Sequence, residues 1–147
     1  MLGKGGGSTS DVADGMRWAT GLPVAGAPLN PHPARVVNLS LGSAGTCSRA
    51  FQDAVDDLLA KGVTVVAAAG NDGSNAIDMP ANCRGVISVG SSDSTGRRTF
   101  DSNTHPRVTL SAPGAGIFSL ANDGAYVPGA ASFGMANGTS FATPGTS

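Results

Sequence analysis

This sequence has little charge. Only 13% of its 147 residues are Asp, Glu, Lys or Arg, and they leave a formal net charge of -1. Such a balance offers no field to attract nucleic acid or an anionic membrane as partner. No apolar run reaches the length that crosses a bilayer, and no signal-peptide pattern opens the chain. Histidine and cysteine are scarce as well, two of each, and no local Cys/His cluster has the spacing of a zinc site. Internal repeats and charged tails are absent. The stretch Gly3-Lys4-Gly5-Gly6-Gly7 has the wrong order for a phosphate-binding loop and no strand before it, so it reads as flexible loop.

Glycine is abundant instead, 22 residues, about twice the usual share. With so little charge, the loops are built from small residues. The length and a 40% hydrophobic content suit one domain with a sizeable core. The opening Met1-Leu2-Gly3-Lys4 enters mid-pattern without a lead-in strand and reads as a cut. Cys47 and Cys83 are either two buried thiols or one disulfide, and composition does not choose between them. A bridge would stabilise the fold by roughly 4 kcal/mol in the chain-entropy model and would imply an oxidising compartment.

The pattern predicts a helix over about 10–20, capped within Ser8-Thr9-Ser10-Asp11, with Val12, Met16 and Ala19 at helical spacing. Gly21 and Pro23 stop it, and a proline-rich loop holding His32 runs to Pro33. A short strand follows over 35–41. Ser48 to Lys61 reads as an amphipathic helix with Phe51, Val55, Leu58 and Leu59 as its stripe and Gly62 at its end. Val63 to Ala69 is a continuous apolar run of strand length, the mark of a strand covered on both faces. Strand, helix, strand make a βαβ unit. Further strands are predicted over 85–90 and 108–110. A hairpin is predicted between Ile117-Phe118 and Tyr126-Val127 around Asn122-Asp123-Gly124.

In an open α/β sheet, ligands gather where the strands deliver their carboxyl ends. Ser40-Leu41-Gly42 leaves one strand and Ala69-Gly70-Asn71 another. Near the C-terminus, Asn137-Gly138-Thr139-Ser140-Phe141-Ala142-Thr143-Pro144 sets a serine at a loop-to-helix junction. A hydroxyl there lies beside free backbone N–H groups. The Asn71 amide and the Ser140 N–H together would form a two-donor oxyanion hole.

Four motifs in order, Asn38-Leu39-Ser40-Leu41-Gly42, Ala68-Ala69-Gly70-Asn71, Ser111-Ala112-Pro113-Gly114 and Asn137 to Pro144, resemble those of the subtilisin-like serine proteases (subtilases), most of all their secreted bacterial branch. The resemblance runs from Leu2 to about Pro144. It implies a single truncated peptidase catalytic domain over 1–147, the C-terminal part only. Its fold would be a partial three-layer α/β sandwich with a mostly parallel sheet, lacking the N-terminal strands and the helix after the nucleophile. It implies a polypeptide substrate, with Ser140 as nucleophile and Asn71 as oxyanion donor. Ser40, Leu41 and Gly42 would pair with the substrate backbone. Ala68, Ala69 and Gly70 would line one wall of the primary pocket, with Met79, Pro80 and Ala81 opposite. Asp78 would then lie near its floor and favour a basic or polar residue. The resemblance also implies a Cys47–Cys83 disulfide and an extracellular, secreted protein. No cofactor is implied for the chemistry. Family members often carry structural calcium, and the 71–82 and 101–105 loops hold oxygen atoms, but no arrangement in them identifies a site.

A serine needs a base, and the base an orienting acid. In the family these sit in Asp-Thr-Gly and His-Gly-Thr-His motifs, and this chain has neither. His32 in Pro-His-Pro and His105 in Thr-His-Pro read as solvated loop histidines. After Pro144 the chain reads Gly145-Thr146-Ser147, where the family continues with His-Val-Ala-Gly. The expectation is a weak or inactive peptidase with an exposed apolar patch, met by partial folding, by a homo-oligomer or by the missing part of the catalytic domain. The alternative is a non-catalytic peptide-binding or self-associating module derived from this fold.

Overall fold

A computed structural model of the chain describes residues 7–122, 124, 127 and 129–147. Most of the Gly3–Gly7 loop and Tyr126 therefore lie outside the described residues. Helix α1 spans Thr9–Ala19, and its first turn is closed by Ser8 Oγ, which accepts from the Asp11 N–H at 3.1 Å. It buries Val12, Ala13 and Met16. Strand β1 is Val36–Leu39 and helix α2 is Arg49–Ala60, capped by Ser48 Oγ on the Phe51 N–H. The α2 stripe buries Phe51, Ala54, Val55 and Leu58, whereas Leu59 stays 37% exposed.

Strands β2 (Thr64–Ala68), β3 (Ile87–Ser92) and β4 (Leu110–Pro113) complete a four-stranded sheet of order β1-β2-β3-β4, parallel throughout. β3 begins two residues later than its sequence pattern suggests, because Gly85 turns at φ +82° and the Val86 N–H is held by the Cys83 carbonyl. β4 also starts late, since the Val108 N–H turns back to the His105 carbonyl.

The buried run at β2 has a direct explanation. Val65, Ala67 and Ala69 face one core with Val12, Met16, Phe51, Val55 and Leu58 from the two helices. Val66, on the opposite face, packs with Val89, Ala112 and Ala142. Both faces are covered, so no polar alternation is needed. The layers are therefore α1 and α2, the sheet, and the short helix α3 (Thr139–Ala142), which runs into a 3-10 turn over Thr143–Thr146.

A separate antiparallel hairpin pairs β5 (Ile117–Asn122) with β6 (Ala131–Ala136). Of the expected second arm, Val127 is exposed in the connecting loop, and the strand that pairs with β5 is β6. Asn122 is the cause. Its Oδ1 accepts from the Gly124 and Gly129 N–H groups and its Nδ2 donates to the Gly129 carbonyl, closing a long loop instead of a tight turn. Phe118, Leu120, Phe133 and Met135 lie exposed on the hairpin, with the two phenyl rings stacked at 5.6 Å.

A disulfide joins Cys47, just before α2, to Cys83, between β2 and β3, with Cα atoms 5.0 Å apart. Among the described residues, no helix is long and apolar enough to cross a membrane.

Candidate active site

The carboxyl ends of β1 and β2 and the start of α3 meet at one edge of the sheet. Three loops are tied together there. Ser43 and Met79 exchange backbone hydrogen bonds at 3.0 Å, fixing the exit of β1 against the loop that follows β2. That loop turns back on itself through the Asp78 N–H, which donates to the Ala69 carbonyl at 3.0 Å. The buried Asn103 then braces it from the side. Its Oδ1 accepts from the Asp72 and Ser74 N–H groups, its Nδ2 donates to the Ala69 carbonyl, and its own N–H donates to the Gly70 carbonyl.

Across 68 residues of sequence, Asn71 is locked to α3. Asn71 Oδ1 accepts from the Thr139 N–H at 2.8 Å and from the Thr139 hydroxyl at 2.9 Å. The same Thr139 Oγ1 accepts from the Gly70 N–H at 3.3 Å. With its carbonyl end held twice, Asn71 keeps its Nδ2 without a partner among the described residues. The Ser140 N–H, at the first turn of α3, likewise has none there. Gly138 makes this junction: its φ is +137°, and a Cβ on it would sit 3.3 Å from Asn71 Oδ1.

A cleft of about 390 Å³ opens at this point, lined by Ser40, Leu41, Gly42, Ala68, Gly70, Asn71, Asp72, Asp78, Thr139 and Ser140. The hydroxyl and the amide singled out in the sequence thus share one cavity, together with Ser40 to Gly42, Ala68 and Gly70. Ala69 does not line it; it is fully buried and turned into the helix-side core. Met79, Pro80 and Ala81 are not among the residues that line this cleft. Met79 lines a neighbouring cleft with Leu41, Gly42 and Phe51, and Pro80 and Ala81 are buried. Asp78, expected near the pocket floor, lines the cleft, with its N–H bonded to the Ala69 carbonyl.

Burial pushes the Asp78 carboxyl above the usual carboxylate range, and the neighbouring Asp72 adds to the effect. His105 lines the adjoining cavity, and His32 sits in the exposed loop after α1, so no histidine lines the Ser140 cleft. Among the described residues no three His, Cys, Asp or Glu side chains gather as a metal site. The Asn103 oxygen in the 101–105 loop is already engaged by two backbone N–H groups, so no calcium site is assigned there.

Thr139 and Asn103 are the residues that sequence reasoning passed over. Thr139 reads as an ordinary helix-start residue, and Asn103 sits in a polar stretch with no local signal. Both are at most 1% exposed.

Known proteins resemble this chain in sequence and in fold. The model of the subtilase family matches residues 1–147. The chain is 48% identical over 145 residues to an extracellular protease of Xanthomonas campestris pv. campestris, covering 98% of this chain and 25% of that protein. It is 43% identical over 145 residues to the extracellular basic protease of Dichelobacter nodosus, covering 98% of this chain and 24% of that protein. Among solved structures, a protease from Pseudoalteromonas arctica superposes with a TM-score of 0.90 at 42% identity, over 95% of this chain and 44% of that one. The chain thus spans about a quarter of the length of these curated relatives. Its parallel sheet is a part of the subtilisin-like fold, and the chain belongs to the subtilase family of proteases.

Proposed function

We propose that this chain carries the nucleophile half of a serine endopeptidase site. Ser140 Oγ attacks the carbonyl carbon of a polypeptide, and the negative charge that develops on the carbonyl oxygen is taken up by Asn71 Nδ2 and the Ser140 N–H. The leaving amine departs to give an acyl-Ser140 ester, which water then hydrolyses. Ser40 to Gly42, at the exit of β1, hold the substrate backbone as an added strand. The observation that carries this reading is the double lock of Thr139 on Asn71 Oδ1, which leaves the Nδ2 hydrogens free beside the serine in the same cleft.

No histidine lines the cleft among the described residues, so the proton of Ser140 passes to a group supplied from elsewhere, the rest of a subtilase catalytic domain or a second copy, and from that group to the leaving amine. Without that group the chain is weak or inactive. In subtilisin itself, loss of the triad lowers turnover by about 10⁶, and about 10³–10⁴ over water remains. The second reading, a non-catalytic module that binds peptides, draws on the same lack of a cleft histidine. The disulfide and the two relatives named as extracellular proteases support a secreted protein.

Incubation with a fluorophosphonate probe, followed by peptide mapping, tests the reading. Label on Ser140, slowed at least tenfold by Asn71→Ala, is the expected result. Label on another residue, or on Ser140 at a rate indifferent to Asn71, refutes it.

A further inference from the structure

Asn71 has to hold its amide still, yet little in its own turn does so. It is exposed, and its backbone N–H and carbonyl make no hydrogen bond among the described residues. Gly70 before it turns at φ +109° and Gly73 after it at φ +61°, conformations that glycine enters and leaves at little cost.

The order comes from residues 101–104, which bond to the chain on both sides of Asn71. On one side, Asn103 Nδ2 donates to the Ala69 carbonyl at 3.2 Å and the Asn103 N–H to the Gly70 carbonyl at 3.0 Å. On the other, Asn103 Oδ1 accepts from the Asp72 and Ser74 N–H groups, both at 3.0 Å. The Gly73 N–H donates to the Asp101 carbonyl and the Thr104 N–H to the Ser74 carbonyl, each at 2.8 Å. Asn103 thus grips residues 69, 70, 72 and 74 at once. Its amide meets two N–H groups at one end and two oxygens at the other, the second being Asp78 Oδ1 at 3.5 Å, which leaves the side chain one orientation. It is also tied to the sheet. The fully buried Ser102 Oγ accepts from the Ser91 N–H of β3 at 3.0 Å and donates to the Asn103 carbonyl at 3.2 Å.

We propose that Asn103 is a positioning residue for the oxyanion site. Through the backbone of residues 69–74 it sets Asn71 where Thr139 captures Oδ1 and the Nδ2 hydrogens face Ser140. The proposal rests on the peptidase reading for the use made of that amide. Asn103 does not line the cleft and acts only through the turn. Without it the Asp72 and Ser74 N–H groups lose their acceptor, the turn swings on its two glycines, and Asn71 leaves Thr139.

The test compares Asn103→Ala with the parent, with Asn71→Ala and with the double variant, all well below their melting temperatures. Fluorophosphonate labelling of Ser140 should slow about three- to tenfold in Asn103→Ala, a coupling on the scale found within one hydrogen-bond network. The loss should fall on the rate at saturating probe and not on the half-saturating concentration. In the Asn71→Ala background the same substitution should change the rate by less than about twofold, because the amide it positions is gone. Hydrogen exchange of the Thr139 N–H, which reads the bond to Asn71 Oδ1, should quicken at least about fivefold in Asn103→Ala. A parent-like labelling rate, a slowing that persists without the Asn71 amide, or unchanged Thr139 exchange overturns the proposal. If Asn103→Ala does not fold, Asn103→Leu, which fills the volume without either polar end, carries the same cycle with the same outcomes. A parent chain that takes no label on Ser140 sinks the peptidase reading, and Thr139 exchange then decides the positioning alone.

Discussion

Replacing Thr139 by valine removes one hydroxyl and almost no volume. That hydroxyl donates to Asn71 Oδ1 and accepts from the Gly70 N–H, and Thr139 is fully buried. In the variant the Gly70 N–H is left buried without a partner, and Asn71 keeps one donor of two, the Thr139 N–H. An unsatisfied buried donor costs about 1–3 kcal/mol. For a chain of this length each kcal/mol lowers the melting temperature by about 2–4 °C, so a fall of roughly 2–12 °C is expected. Thr139→Ser keeps the hydroxyl and loses only a methyl group, so it should hold both hydrogen bonds and serve as the control. The assay is thermal unfolding by circular dichroism, with the side-chain NH2 signals of Asn71 followed by NMR. Those signals should broaden or shift toward random-coil positions in the valine variant and stay dispersed in the serine variant. Labelling of Ser140 should slow with them, by less than the roughly 10²–10³ known for loss of the whole donor in subtilisin. If Thr139→Val melts with the parent and leaves the Asn71 signals unmoved, the hydroxyl does not orient the amide, and the proposed oxyanion site loses its support.

Three other outcomes follow from the packing. Mass spectrometry without reductant should find Cys47 and Cys83 joined, and Cys47→Ala/Cys83→Ala should lose roughly 4 kcal/mol in denaturant titration. Gly70→Ala should fail to fold or lose well over 1 kcal/mol by the same titration, because φ there is +109° and a Cβ would meet both Asp78 and Asn103. Asp93 accepts hydrogen bonds from the Thr95 side chain and N–H and from the Arg97 N–H, which lower its pKa. A carboxyl depressed in the folded state stabilises above its unfolded pKa and loses that contribution as pH falls through the folded one. Acid titration of unfolding should therefore show a shallower acid limb in Asp93→Asn than in the parent, and an unchanged limb would show that the turn does not hold the carboxylate.

Whatever depends on a few consecutive residues is legible in the chain itself. Ser48 capping α2, the stripe of Phe51, Val55 and Leu58, and the apolar run at β2 each follow from local spacing and hydrogen-bonding chemistry. The pairing of a strand-end asparagine with Ser140 is legible too, because both belong to short motifs with a recognisable order. The errors fall where a distant partner intervenes. Leu59 belongs to the apolar stripe by period yet stays exposed. Asn122 bonds Gly129 and carries the hairpin past the Asp-Gly signal to β6.

The sequence alone determined the order of elements and the burial of β2 on both faces, since burial and capping are encoded within one or two turns of chain, and its motifs singled out Ser140 and Asn71 as candidates. Only the tertiary structure decided that Thr139 orients Asn71, that Asn103 braces the loop, and that Asn103 donates to the Asp78 carboxylate. Those contacts join residues 25 to 69 positions apart, and strand register and loop closure bring them together where no local pattern can.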